Sequence, residues 1–299
     1  MKKTLLVFAA LLVAVSAFAG NPTADLGTEE NPIVWAFVPS GDTNEIVAGG
    51  QEVADMIYDL TGIVIEVSVA TEYAGVIEAL SSDPPSAQMA SLATFSYVVA
   101  ADRGVAEAAL VAVRFGSPTY NGQIIANVNS GINGLEDLVG KTFARPDPLS
   151  TSGWIIPMLT MRAAGIDPET DLAEIVDAGG HTGVVSAVYN GQADAGATYV
   201  DARGNIEGDH PDVMDVVKVI ALTADIPNDG VQFSPVVPVD LRNRIINALL
   251  QIADTEEGAT ALNRAYEWDG LVRRTDTFYD PFRQVLLASG MTAEQLAGE

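Results

Sequence analysis

The sequence predicts an α/β protein with two lobes, each a mainly parallel sheet flanked by helices. Short strand-like runs alternate with helical patterns from residue 33 to residue 222, which is typical of parallel sheets with helical crossovers. A turn-rich crossing follows at residues 226–231, and residues 238–297 read as almost wholly helical. We therefore expect the chain to build two lobes in succession and then to return to the first lobe with a helical C-terminal tail.

The first lobe is expected to take its strands from the early β-branched, apolar runs. These strands are placed at residues 33–38, 63–69, 87–91 and 109–113. The segments between them show helical periodicity, which predicts helices at about residues 44–60, 72–80 and 95–103. The first lobe is thus assigned residues 20–118 and, after the return of the chain, residues 228–299.

The second lobe is assigned residues 119–227. Its strands are placed at residues 122–128, 142–144, 173–176, 193–198 and 216–222, and its helices at 135–139, from Ser150 onward, and at 182–190. Pro157 falls inside the helix that begins near Ser150, where it would cost about 3 kcal/mol in a regular interior position. That helix is therefore either kinked at Pro157 or irregular in its first turn.

The first residues read as a secretory signal. Lys2 and Lys3 form a charged start, residues 5–15 an apolar run, and residues 17–19 a small-residue cleavage site. The apolar run is too short for a stable membrane span, and with 0 Cys the chain has neither a disulfide nor a lipid-anchor thiol. We expect residues 1–19 to be removed after Ala19 and the mature protein to be periplasmic, with no membrane insertion.

The charge of the chain restricts its partners. Asp and Glu number 40 against 15 Lys and Arg, a formal net charge of −25. Such a surface repels nucleic acid and anionic lipid, so neither is expected as a partner. Because the long-range field also opposes small anions, an anion site in this protein must rely on local dipoles and hydroxyl groups.

Residues 147–154, with the sequence DPLSTSGW, contain the strongest candidate for such a site. Three consecutive hydroxyl side chains and a glycine stand between a strand-like run and a helix-like run. The free N–H groups and the dipole of a helix start favour an oxyanion, and hydroxyls add donors. Ordinary capping by Ser and Thr explains the same pattern, so the motif alone leaves both interpretations open.

Several motifs, in their order and spacing, resemble the phosphonate/phosphite/phosphate-binding proteins of ABC importers. They are YAG at 73–75, LATF at 92–95, DPLSTSG at 147–153, GH at 180–181, YNGQADAGAT at 189–198 and IPND at 226–229. The resemblance spans about residues 33–283. It implies a type II periplasmic-binding-protein fold that closes on its ligand like a clamshell, about crossings near residues 114–121 and 225–231. It further implies a monomer that captures a small phosphorus oxyanion for an ABC permease, without catalysis, cofactor or metal.

The resemblance also implies a set of ligand contacts. Ser150, Thr151 and Ser152 match the loop that holds phosphonate oxygens in this family, and Tyr73 matches a tyrosine from the first lobe. His181 matches a ligand-contacting histidine, whose N–H can donate to a phosphoryl oxygen. Packing at a helix start is the alternative for Tyr73, and a structural role in a Gly-rich turn is the alternative for His181.

Two acidic residues, Asp201 and Asp229, match positions on the far side of the family's pocket. A carboxylate facing a dianion needs a proton or a positive group between them, so each could accept from a P–OH group or pair with a ligand ammonium. Otherwise each is a solvated loop carboxylate. Leu92 stands where some aminoalkylphosphonate binders have a second tyrosine, which weakens the case for that ligand; Tyr120 could compensate or simply pack, and Thr94 is a further candidate contact.

Other functions remain open at this point. Ser152, His181 and Asp201 are residue types that can form a hydrolytic triad, but the loop lacks a G-x-S-x-G elbow. His181 and His210 are far apart and no cluster has zinc-ligand spacing, which argues against a metal protein. The same fold could bind another small anion or report a bound ligand to a membrane receptor instead of delivering it to a permease.

Overall fold

The computed structural model describes residues 25–297 and confirms the α/β class, with two sheets flanked by helices. The predicted signal sequence, residues 1–19, lies outside the described residues. None of the helices within the described range is long and apolar enough to cross a membrane.

The strands and helices alternate along most of the chain. The strands are β1 (Ile33–Phe37), β2 (Ile65–Val69), β3 (Met89–Ser91), β4 (Glu107–Val113), β5 (Thr119–Asn127), β6 (Thr142–Arg145), β7 (Glu174–Asp177), β8 (Ala195–Tyr199), β9 (Val217–Pro227), β10 (Gly230–Phe233) and β11 (Gly270–Arg273). The α-helices are α1 (Thr43–Thr61), α2 (Tyr73–Ser81), α3 (Thr94–Asp102), α4 (Ile156–Ala163), α5 (Pro168–Asp171), α6 (His181–Tyr189), α7 (Val213–Val216), α8 (Val239–Ala253), α9 (Glu256–Tyr266), α10 (Asp280–Ala288) and α11 (Ala293–Ala297). The predicted helix at 135–139 is a 3₁₀ turn, Leu135–Leu138.

Each lobe is built on one sheet. The first lobe carries the order β11-β4-β10-β3-β1-β2, and the second lobe the order β7-β6-β8-β5-β9. The strands that open each series are buried and apolar; in β1, for example, Ile33, Trp35 and Phe37 are almost fully buried. The return of β10 and β11 to the first sheet places the C-terminal helices α8 to α11 with the first lobe.

Both sheets are mixed, which corrects the expectation of mainly parallel pairing. β1 is parallel to β2 and β3, but β10 is antiparallel to β3 and β4, and β11 is antiparallel to β4. In the second lobe β6 is parallel to β7 and β8, whereas β5 is antiparallel to β8 and β9. The antiparallel pairs arise where the chain passes between lobes without a helical crossover, since a crossover helix is what brings successive strands into parallel alignment.

The C-terminal tail, expected to be almost wholly helical, contains one strand, β11, between α9 and α10. Gly270 pairs with Val113 and Arg273 with Leu110, so this strand forms the edge of the first sheet. A four-residue edge strand gives almost no periodic signal in the sequence. The crossing at 226–231 is also shorter than expected, since β9 runs to Pro227 and β10 begins at Gly230.

The helix after Ser150 has an irregular first turn, which decides the question raised by Pro157. Residues Thr151–Ile155 form a π-helical turn, and α4 then begins at Ile156 with Pro157 in its first turn. Pro157 thus directly follows an irregular π turn and does not lie in a regular α-helical interior, where it would break an i→i−4 hydrogen bond. Gly153 is required in this turn, since a Cβ would clash with the Pro146 ring.

Candidate ligand-binding site

A cavity of about 600 Å³ lies between the two lobes. Its size is typical of small-molecule sites in proteins. Polar side chains from both lobes lie on its wall. The first lobe contributes Tyr73 and Arg114, and the second lobe contributes Tyr120, Ser150, Thr151, Ser152 and His181. Residues distant in the sequence therefore converge on one enclosed space.

The three consecutive hydroxyl residues, Ser150, Thr151 and Ser152, are buried and line the cavity; we call them the hydroxyl loop. Ser150 Oγ accepts from the Gly153 N–H at 3.2 Å, so it caps the turn that follows. Thr151 Oγ1 accepts from the Phe95 N–H at 2.8 Å. A hydroxyl whose oxygen accepts in this way keeps its proton free to donate, so capping and oxyanion binding are compatible roles for this loop.

Two phenols stand beside this loop. Burial raises the pKa of Tyr73 well above its ordinary value, although the nearby Ser150 hydroxyl partly opposes the shift. Burial likewise raises the pKa of Tyr120 to about 12, against the effect of the Ser152 hydroxyl. Both phenols are therefore protonated at neutral pH and can donate to an oxyanion without adding charge.

Arg114, which follows β4, supplies the positive charge that sequence reasoning missed. Its Nη1 donates to Asn228 Oδ1 at 3.0 Å, and its Nη2 donates to the Tyr266 carbonyl at 2.9 Å. Burial alone would lower the pKa of Arg114, but the carboxylate of Asp229 raises it above its ordinary value. Arg114 is therefore a fixed, fully charged group on the cavity wall. The sequence feature that could have indicated this role is the position of the arginine, directly after a buried strand and within the crossing expected at 114–121.

Asp229 also lines the cavity, but its carboxylate is already paired. Its two oxygens accept from Arg114, at 2.5 Å and 3.1 Å, and Trp268 Nε1 donates to it at 3.3 Å. Arg114 is thus a positive group that lies directly beside this carboxylate on the cavity wall. Asp229 holds this guanidinium in place, and its contact with a P–OH group or an ammonium stays a prediction.

The structure does not bring Asp201 and Thr94 to the cavity wall. The Asp201 carboxylate accepts from Arg203 Nε and Nη2, each at 2.8 Å, and this interaction lowers the pKa of Asp201. Gln123 Nε2 also donates to it at 3.2 Å. Thr94, at the start of α3, donates its hydroxyl proton to the Pro227 carbonyl. Both residues are occupied by partners within the protein.

His181, the first residue of α6, is buried on the cavity wall. Burial, with a smaller effect from the charge of Arg114, lowers its pKa to about 3, so the imidazole is neutral. Its Nε2 lies 3.5 Å from Ser150 Oγ, and its Nδ1 has no hydrogen-bond partner within residues 25–297. The described residues therefore contain no Ser-His-Asp relay through His181, since Asp201 is paired with Arg203.

A polar network closes one side of the cavity across the two lobes. The Tyr199 hydroxyl donates to Glu267 Oε1 at 2.7 Å, and Asn205 Nδ2 donates to the Tyr199 oxygen at 2.8 Å and to Thr182 Oγ1 at 3.2 Å. The Tyr199 ring lies 4.7 Å from the ring of His181. Glu267 ends α9 in a left-handed conformation, with φ of 55°. This network could not be predicted from the sequence, because its members lie in separate segments of the chain.

No group of three or more His, Asp or Glu side chains within the described range could hold a metal ion. The polar lining of the cavity consists instead of neutral hydroxyl donors, the imidazole of His181, two paired guanidinium groups (Arg114 and Arg264) and several carboxylates. This set is suited to holding an organic or inorganic anion by hydrogen bonds.

Comparison with known proteins decides the family. The sequence model of the family described as "ABC transporter, phosphonate, periplasmic substrate-binding protein" matches residues 35–279. The chain belongs to this family. The phosphonate-binding family matches the one that the motifs resemble, so that prediction is confirmed.

Two relatives and one solved structure illustrate the place of the chain in the phosphonate-binding family. The phosphate-import protein PhnD of Mycolicibacterium smegmatis is 29% identical over 307 residues, covering 94% of this chain and 94% of the relative. The phosphonates-binding periplasmic protein of Escherichia coli is 27% identical over 235 residues, covering 77% of this chain and 68% of the relative. The structure of PhnD1 from Prochlorococcus marinus in complex with methylphosphonate has a TM-score of 0.76 at 13% identity, covering 91% of this chain and 100% of that chain.

As a member of the phosphonate-binding family, this protein is a periplasmic substrate-binding component of an ABC transporter. The likeness to the solved structure confirms the two-lobed fold. The cavity between the lobes is therefore the candidate site for a substrate.

Proposed function

We propose that this protein captures a phosphorus oxyanion between its lobes and delivers it to an ABC permease, without catalysing a reaction. The observation that carries this proposal is the convergence of the Ser150, Thr151 and Ser152 hydroxyls with Arg114 in one buried cavity. A phosphoryl group offers three oxygens, which matches a site rich in donors from more than one direction.

The charge balance of the site favours hydrogen bonding over simple attraction. Arg114 and Asp229 form a pair with no net charge, so the oxyanion is held chiefly by neutral donors and by the local field of the guanidinium. Such donors are worth more in a cavity that excludes water than in bulk solvent. Closure of the lobes on the ligand, about the crossings at 114–121 and 225–231, supplies that exclusion.

The ligand could be a phosphonate, phosphite or phosphate, and a phosphonate is favoured by the size and charge of the cavity. Four carboxylates line its wall besides Asp229: Asp42, Glu45, Asp209 and Glu267. Glu45 is paired with Arg264, which lines the same wall, and Asp42 caps α1. Asp209 and Glu267 are therefore the carboxylates near which a ligand ammonium would place its charge. An aminoalkylphosphonate carries an ammonium at the end opposite its phosphoryl group, although Leu92 rather than a tyrosine occupies one position of the wall found in some such binders.

The remaining parts of the proposal concern the whole chain. We place the lobe boundaries at 118/119 and 227/228, because β1–β4 and β10–β11 share one sheet while β5–β9 share the other. Export with cleavage after Ala19 and a monomeric state complete the description. In the alternative sensor role, the ligand-bound protein would contact a membrane receptor instead of an ABC permease.

A thermal-shift panel on the mature protein tests the function. The compounds are phosphate, phosphite, methylphosphonate and 2-aminoethylphosphonate, with sulfate as the control. A ligand present at one hundred times its dissociation constant adds about 2.7 kcal/mol to the free energy of unfolding, which gives a clear rise in Tm. A selective rise with one phosphorus compound supports the proposal and identifies the ligand. A rise with sulfate alone, or with none of the five, contradicts it.

A further inference from the structure

Asp147 joins the two halves of the binding site through one carboxylate. It follows β6 of the second lobe and precedes the hydroxyl loop, and its Oδ1 accepts from the Leu149 N–H at 2.7 Å. Its Oδ2 reaches the first lobe and accepts from the Tyr73 N–H at 3.0 Å. Asp147 therefore holds the backbone next to the hydroxyl loop of the second lobe and the backbone of Tyr73 in the first lobe, and both the hydroxyl loop and Tyr73 line the cavity.

The contact with Tyr73 is a helix cap supplied from the other lobe. Tyr73 is the first residue of α2, and the residue before it, Glu72, makes no capping hydrogen bond with its own side chain. The free N–H groups of a helix start favour a carboxylate oxygen. Asp147 thus does for α2 what a local cap usually does, but only while the two lobes are together.

A second cap of the same kind lies beside the first. Ala93, which precedes α3, has no side chain that can cap, and Thr151 of the second lobe accepts from the Phe95 N–H. Two neighbouring helices of the first lobe therefore both receive their caps from one loop of the second lobe. By contrast, α1 is capped within its own lobe, since Asp42 accepts from Asn44 and Glu45.

The Asp147 carboxylate has no ion-pair partner among the described residues, although it is only 9% exposed. Burial raises the pKa of Asp147 above its ordinary value; the N–H groups of Leu149 and Tyr73 oppose this shift, and the nearby carboxylates of Asp177 and Glu72 add to it. Separation of the lobes would remove one of these two donors and leave the start of α2 without a cap. The hydrogen bond from the Tyr73 N–H to Asp147 is therefore a contact that only the closed arrangement contains.

We propose that Asp147 is a positioning residue that stabilises the closed cavity by capping α2 across the lobes, without touching the ligand. The inference rests on the proposed function, since it concerns closure around the phosphorus oxyanion. Asp147 raises the fraction of molecules in the closed, binding-competent arrangement. The apparent dissociation constant is the intrinsic value divided by that fraction, so losing the cap weakens every ligand by one common factor.

The test compares Asp147→Asn with a matched control, Asp137→Asn. Asp137 also accepts from two backbone N–H groups, those of Asn133 and Gly134. Both residues belong to the same lobe as Asp137 and lie outside the cavity wall. Calorimetry with methylphosphonate and phosphite is expected to show affinities roughly 10- to 100-fold weaker for Asp147→Asn, by the same factor for both, and within about twofold of wild type for the control.

Small-angle scattering measures the radius of gyration, which would not change if Asp147 only stabilised the local structure of its own lobe. Ligand-free Asp147→Asn is expected to have a larger radius of gyration than ligand-free wild type, and the two are expected to coincide when saturated with ligand. Unchanged affinity in Asp147→Asn, or a weaker affinity with unchanged ligand-free scattering, overturns the proposal.

A measurement on the wild-type protein covers the case in which Asp147→Asn does not fold. Hydrogen exchange at the Tyr73 amide is expected to slow when methylphosphonate binds, because the cap then persists. Equal exchange with and without ligand overturns the proposal. If no phosphorus compound binds wild type at all, the proposed function fails, whereas the scattering comparison of ligand-free proteins still reports on the cap.

Discussion

Arg114 and Asp229 form a bidentate ion pair on the wall of the cavity, with an Nη1–Oδ1 distance of 2.5 Å and an Nη2–Oδ2 distance of 3.1 Å. The pair joins the end of β4 to the short turn between β9 and β10, which are the two places where the chain passes between lobes. The group that orients the Arg114 guanidinium therefore sits at the crossings about which closure is proposed.

Asp229→Asn tests what this carboxylate does. Because it acts through Arg114, its loss should weaken methylphosphonate and 2-aminoethylphosphonate alike, by about 1.5–3 kcal/mol each in calorimetric titrations. The exposed Asp59 of α1, which lies outside the cavity wall and both crossings, gives the control Asp59→Asn, which should bind both ligands as wild type does. A clearly greater loss for 2-aminoethylphosphonate would place Asp229 against the ligand's ammonium instead.

Ser152→Ala isolates the donor role of the hydroxyl loop. Ser152 caps no helix, so the variant should lose about 1–3 kcal/mol of ligand binding while the Tm of the ligand-free protein changes little. Full affinity in Ser152→Ala would remove this hydroxyl from the site.

Thr151 should behave differently from Ser152 because its oxygen also accepts from Phe95. Thr151→Ala is expected to lower both ligand affinity and the free energy of unfolding, the latter by about 0.5–2 kcal/mol. Thr151→Ser keeps the hydroxyl and should restore most of both quantities. Chemical denaturation and calorimetry on the two variants separate the roles, and a stable Thr151→Ala would contradict the capping role.

We expect His181 to contribute to the pH dependence of the free energy of unfolding. Its pKa is about 3 in the folded protein and about 6.5 when unfolded, so the unfolded chain binds the extra proton between these values. The contribution of His181 is thus complete above pH 6.5 and is lost as the pH falls toward 3, with a slope of at most about 1.4 kcal/mol per unit. His181→Gln removes this contribution, so between pH 7 and 5 its Tm should fall less than that of wild type. Parallel Tm profiles for the two proteins would mean that His181 is accessible to protons in the folded state.

Much of the fold could be predicted because its signals are local. Periodicity located β1, α1 and the helix that begins at His181 to within one or two residues. Strand direction and the short edge strand β11 could not be found in the same way, since both depend on pairing between distant segments. Gly270, for instance, pairs with Val113, and nothing near either residue in the sequence indicates the partner.

The same division applies to the site. The hydroxyl loop is contiguous, so its three hydroxyls could be recognised together. Arg114 and Asp229 are 115 residues apart, and only the fold shows that the carboxylate is already paired. The pairing of Asp201 is the exception, because Arg203 lies only two residues away and a local ion pair could have been anticipated from the sequence.

The last prediction concerns ligand choice and rests on Glu267. This carboxylate lines the cavity and accepts from the Tyr199 hydroxyl, so it can either pair with a ligand ammonium or only tie the lobes together. If the ligand carries an ammonium, Glu267→Gln should weaken 2-aminoethylphosphonate about tenfold and methylphosphonate much less, since only the former loses a charge partner. Tyr199→Phe is the matched control, because it removes the tie between the lobes but leaves the carboxylate. It should affect both ligands by a similar factor. Calorimetric titration of the two variants with the two ligands distinguishes the roles: equal losses in Glu267→Gln would assign Glu267 to closure alone and would favour a phosphorus oxyanion without an ammonium.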